Sequence, residues 1–140
     1  MIKKVGESVE KYFNSISSIS AVIVGALTYL LGGWDILIIA LLILMVLDYI
    51  SGILKGLYNK KLSSQIGFKG ILKKIFILII VSLSVICEKL GIPAIREITI
   101  VFFVVNEGLS ILENATEMGL PIPEAIKEAL LQIREKEGAK

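Results

Sequence analysis

Histidine is absent from the 140 residues, and cysteine occurs once, at Cys87. Disulfide frameworks, zinc clusters and histidine-based acid–base catalysis are therefore excluded. Cys87 lies in an apolar run and is expected to pack as a small hydrophobe. Phosphate-binding and nucleic-acid motifs are missing too. The stretch GFKGILKK holds a G-x-x-G like an RNA-binding KH loop, but apolar segments flank it and no KH domain fits. It lacks the spacing and the Lys-Ser/Thr pair of a Walker A loop. Glu113 and Glu117 have no partner residues that would make a metal or acid–base site. Neither enzymatic activity, nor a cofactor, nor a nucleic-acid partner is expected.

Apolar residues, by contrast, are abundant. They make up 55% of the chain, where soluble domains have about 45–50% with glycine counted. The excess is concentrated in blocks, which points to lipid as the solvent. Residues 36–47 run ILIIALLILMVL without a break, and Asp48 follows at once. A bilayer core needs about 20 helical residues, and four segments supply them: 16–34, 36–57, 71–90 and 92–112. The expected fold is all-α, a polytopic integral membrane protein of four transmembrane helices in two hairpins, with amphipathic helices at both ends. Residues 1–15 form the first of these. Their lysines resemble a signal-peptide n-region, but the segment is too long and no A-x-A site follows, so it is read as retained. Ile2, Val5, Val9, Tyr12 or Phe13, and Ile16 fall at helical spacing. The tail, 113–140, is expected to hold a short amphipathic helix starting at Pro123 and Glu124 and stopping at Gly138.

The net charge of +2 hides segregation. Residues 55–74 carry Lys55, Lys60, Lys61, Lys69, Lys73 and Lys74 and no acid, while residues 113–140 carry six glutamates against four basic residues. The loop at 32–35 has no lysine or arginine, and that at 88–97 has only Lys89 and Arg96. The positive-inside rule then puts both termini and the lysine belt in the cytoplasm. The belt is expected to meet anionic lipid headgroups, each lysine adding about 1 kcal/mol. The fourth segment carries Asn106 and Glu107, so a three-span topology with that segment at the interface stays open.

Carboxylates inside a membrane are functional candidates by default. Asp48 precedes Lys55 by seven residues, about 10 Å below the end of its helix. Glu107 lies at similar depth, and Lys69, Lys73 and Lys74 enter from the same side. Lysines are therefore expected to pair with Asp48 and Glu107, either as structural ion pairs or along a water path. Asn106 and Ser110 join this polar set. Gly52 and Gly56 form G-x-x-x-G, and Ala21 with Gly25 a small-xxx-small pair; both allow close helix approach and self-association.

Three strings extend the reading: MVLDYISGILKG, KKLSSQIGFKGILKKI and FFVVNEGLSILENATEMGLPIP. Together, over roughly residues 36–125, they resemble phage holin family 4, the phage-lysis and toxin-secretion holins. The resemblance marks Asp48, Gly52, Lys61, Ser64, Gly67, Gly70, Lys73, Lys74, Asn106, Glu107, Ser110, Glu113 and Asn114 as motif positions. It implies a homo-oligomer of the cytoplasmic membrane whose lesions release an endolysin or a large protein toxin. Some holins use alternative start codons, but the next methionine after Met1 is Met45, so dual-start timing has no support here. Two other readings stand beside it: a small ion channel or secondary transporter using the carboxylates, and a non-conducting scaffold or antiholin.

Overall fold

The computed structural model describes residues 1–138; the last two residues of the tail lie outside the described residues. It contains α1 (Ile2–Leu31), α2 (Ile36–Tyr58), α3 (Ser64–Lys89), α4 (Ile95–Glu117) and α5 (Glu124–Gly138), with no strand among the described residues. The chain is all-α, and α1, α2 and α3 are long and apolar enough to cross a membrane.

Local chemistry sets the boundaries. Asp35 caps α2 by accepting from the Ile38 N–H at 3.0 Å, and Ser63 caps α3 by accepting from the Ile66 N–H at 3.3 Å. α1 ends at Gly32, whose left-handed φ of 76° lets its N–H return to the Thr28 carbonyl. Three elements differ from the sequence-based spans. The N-terminal segment and first span are one unbroken helix, and no proline interrupts residues 2–31. α3 begins at Ser64 rather than 71, so the glycine-containing motif is helical. Pro93 sits in the turn before α4, which runs on to Glu117.

The core repeats at helical spacing. Ile38, Leu41, Met45 and Asp48 are buried on α2, and Ile77, Val81, Ser84 and Val85 on α3. Asp48 thus continues the inward stripe of α2. Ile39, Ile43, Val46, Ile50 and Leu54 on α2, and Phe76, Ile79, Ile80 and Leu83 on α3, remain exposed. Such a continuous apolar surface suits lipid. α4 has the most buried positions, including Arg96, Glu107 and Asn114. It packs against α2, α3 and α5, so the most polar of the four long apolar segments is the most sheltered. α5 folds back onto α4, where Leu130 closes on Gly108; an added Cβ there would come within 3.0 Å of Leu130. α1 packs mainly on α3, and Leu31 is its one buried residue.

Candidate functional site

The inward face of α2 presents Asp48 to the middle of the bundle, and α3 delivers Lys74 opposite it. Lys74 Nζ donates to Asp48 Oδ2 and to Glu107 Oε2, joining α2 and α4 through α3. Glu107 is fully buried, and the side chains of Lys74 and Asp48 are each 12% exposed. Lys73 Nζ lies 3.7 Å from Glu107 Oε1, an oxygen with no hydrogen-bond partner. Asn114 Nδ2 donates to Ser51 Oγ at 2.9 Å and to Asp48 Oδ1 at 3.4 Å. Two cations face two carboxylates, so the cluster is balanced in charge. Low polarity strengthens these attractions, and the pairing offsets desolvation only while every partner stays in place.

A cavity of about 200 Å³ opens beside the cluster. Its walls come from all three motif strings: Asp48, Tyr49 and Gly52 from α2, Gly67, Gly70, Lys73 and Lys74 from α3, and Ser110 and Asn114 from α4. Tyr49 explains two of the glycines. A Cβ at Gly70 would sit 3.2 Å from its ring, and one at Gly67 would sit 3.4 Å from its hydroxyl. Gly52 faces Asn114 and Gly56 faces Leu62, so both glycines of the G-x-x-x-G meet neighbours within the chain. Ala21 and Gly25 lie on the exposed surface of α1, with nothing within 4 Å of the position of a Gly25 Cβ.

The other sequence-marked residues lie around this centre. Lys55 pairs with Glu117 at 3.3 Å. Lys60, Lys61, Ser64, Lys69 and Glu113 are exposed, and Asn106 is half-buried.

The sequence reading missed a second polar layer at the opposite end. Arg96 Nε donates to the Leu31 carbonyl at 2.7 Å, Nη1 pairs with Asp35 Oδ2 at 2.6 Å, and Nη2 reaches the Gly33 carbonyl at 3.5 Å. Arg96 is thereby buried, satisfying one of the carbonyls left over at the end of α1. Gly32 leaves room for it; a Cβ there would approach Arg96 Nε to 2.7 Å. No spacing signal links positions 31, 35 and 96, which meet only when the two hairpins pack. Lys89 sits 3.9 Å above the Tyr29 ring at the same end. Along α4 this layer is about 17 Å from Glu107 at 1.5 Å per residue.

Partial burial pushes the Asp35 carboxyl up, but hydrogen bonds from Arg96 and the Ile38 N–H, with the Arg96 charge, outweigh this and hold it below its ordinary value. Its contribution to stability is therefore present above the unfolded value near about 3.9 and is lost as pH falls through the lower folded value. Arg96→Gln should cost about 1–3 kcal/mol near neutrality, toward the low end because Asp35 is half exposed. The gap between variant and wild-type melting midpoints in detergent should narrow as pH drops below about 4. A gap unchanged by acid would mean that Asp35 contributes nothing to the layer.

Comparison with known proteins bears on what this arrangement belongs to. Residues 25–135 match the bacteriophage holin family. The chain belongs to that family. It is a holin-type membrane protein, and the three motif strings fall inside the matched region. Among its relatives is an uncharacterized 14.9 kDa protein from the nagH 3′ region of Clostridium perfringens, 43% identical over 112 residues, covering 78% of this chain and 85% of the relative. An uncharacterized protein of Listeria monocytogenes is 44% identical over 112 residues, covering 79% and 80%. The uncharacterized protein YqxH of Bacillus subtilis is 36% identical over 118 residues, covering 82% and 84%. No solved structure matches this holin-family chain.

Proposed function

We propose that this chain oligomerises in the cytoplasmic membrane and opens lesions that release an endolysin or a large protein toxin. Membership of the holin family over residues 25–135 carries the reading. The protein acts without chemistry of its own, through insertion, assembly and opening, with anionic headgroups engaging the lysine belt. Both termini lie in the cytoplasm, and α1 to α4 each span. Sheltering of α4 by α2 and α3 supports the fourth span, because Glu107 then meets lysine rather than lipid. The lone carboxylate would otherwise cost about 2.5–3.5 kcal/mol on insertion scales.

Inducible expression with a co-expressed cytosolic reporter protein tests the function. A burst of released reporter with loss of viability is expected. Leakage of ions alone would favour a small channel or transporter with Asp48 and Glu107 as ion ligands, and an intact barrier would favour a non-conducting scaffold. A reporter active only in the cytoplasm, fused after Lys140, should be active; inactivity there would sink the four-span topology.

A further inference from the structure

α2 and α3 each pack more closely on α4 than on one another, and at their lysine-rich end the seam between them is open. The cavity of about 200 Å³ beside the ion cluster lies on one side of Tyr49, and a groove of about 420 Å³ lies on the other. Tyr49, Ile53, Leu62 and Gly67 line both spaces, which makes them two halves of one lateral recess. The inner half is polar, with Lys73, Lys74, Asp48, Ser110 and Asn114 in its walls. The outer half is largely apolar, and its Phe68 and Ile71 are 61% and 45% exposed. Gly67 adds no side chain to block the passage between them.

Depth places this recess at a membrane boundary. α2 has 23 residues, about 35 Å at 1.5 Å per residue, so its ends reach past a hydrocarbon core of about 30 Å into the headgroup layers. Tyr49 stands nine residues before the end of α2 at Tyr58, about 14 Å along the axis. The recess therefore straddles the level where headgroups give way to acyl chains.

Charge favours an anion there. The ion cluster is balanced, but Lys73 has capacity to spare: its side chain is 59% exposed, and its one ion-pair contact among the described residues is Glu107 Oε1 at 3.7 Å. An ammonium carries three donors. Lys60, Lys61 and Lys69, close in the chain to Leu62 and Gly67, have no ion pair among the described residues. We propose that the recess binds one anionic phospholipid, whose phosphate accepts from Lys73 while an acyl chain lies along Ile53, Phe68 and Ile71. The inner volume is below the about 300–1,000 Å³ of drug-sized pockets, so it admits a headgroup and leaves the tails outside. The proposal rests on the reading that anionic headgroups engage the lysine belt, and it fixes one of them at a defined place.

Native mass spectrometry of the full chain, purified in detergent, tests the site. After incubation with equimolar phosphatidylglycerol and phosphatidylcholine, wild type should retain one phosphatidylglycerol per chain, and excess inorganic phosphate should not displace it. Lys73→Gln should weaken retention about tenfold, since a hydrogen bond to a charged group is lost. Lys60→Gln takes the same charge from the belt but not from the cavity wall, and should weaken it less. Ile71→Trp keeps every charge and fills the outer groove from an exposed position, so it should also lose the lipid, whatever Lys73→Gln does to folding. Equal retention of both lipids, equal losses from Lys60→Gln and Lys73→Gln, or full retention by Ile71→Trp overturns the proposal. Displacement by inorganic phosphate would assign the cavity to a free anion and overturn the lipid. Reporter release from expressing cells separates this claim from the lesion. Retention without release would support the site and overturn the lesion; release without retention would overturn the site alone.

Discussion

Lys74→Met is expected to remove most of the protein from the membrane fraction. Lys74 stands between Asp48 and Glu107, and its loss leaves two buried carboxylates facing one another. Lys73 cannot replace it, being 59% exposed and 3.7 Å from the far oxygen of Glu107. Removing one partner of a buried pair costs about 3–5 kcal/mol, a large share of a typical total of about 5–15 kcal/mol. Neutralising the whole cluster should reverse the defect. Lys74→Met combined with Asp48→Asn and Glu107→Gln leaves no unpaired buried charge, and its abundance should return towards wild type, since residues in one network are strongly non-additive. Immunoblots of membrane fractions read both results. Wild-type abundance of the single variant would show that Lys74 is not what makes the carboxylates tolerable.

Asp48→Asn should insert and oligomerise, yet release of a cytosolic reporter should fall to background. Asparagine keeps the shape and can still bond Asn114, which approaches Asp48 at 3.4 Å. What it loses is the carboxylate charge that, with Glu107, balances Lys73 and Lys74. Asp48→Leu also loses the hydrogen bonding and should fail in the same assay. Full release by Asp48→Leu at wild-type abundance would leave this carboxylate without a part in opening. Near-normal release by Asn, with low membrane levels for Leu, would confine its role to folding.

The lipid-facing helices were legible because their signal is local. The stretch of residues 36–54, with Asp48 its one charge, is long enough to read as a span, and the position of Asp48 three and seven residues after Met45 and Leu41 fixes no partner by itself. Depth along each helix made Asp48, Glu107 and the lysines of α3 natural neighbours, and the structure brings those residues together with Asn114. The choice of Lys74 over Lys69, which is exposed, depends on the rotation of α3 about its axis, and its weak amphipathicity leaves that rotation undetermined in the sequence. The Arg96 layer was illegible for a different reason. Its acceptors are two backbone carbonyls and a helix cap some sixty residues away, none of which carries a mark in sequence. Gly67 and Gly70 stood out as motif positions, but only the Tyr49 ring laid across them gives them a physical purpose.

The sheltering of α4 has a consequence for biogenesis. Every charged or amide group that α4 buries finds its partner earlier in the chain: Arg96 meets Asp35, Glu107 meets Lys73 and Lys74, and Asn114 meets Ser51 and Asp48. Synthesis runs from the N-terminus at about 5–20 residues per second, so α2 and α3 leave the ribosome before the helix that needs them. In the four-span topology, the hardest segment to partition into lipid thus arrives last, beside a preformed template that neutralises it. Moving α4 ahead of α2 by circular permutation would keep every contact of the finished protein and forfeit that order, leaving a nascent segment stranded at the insertion machinery until its partners were made.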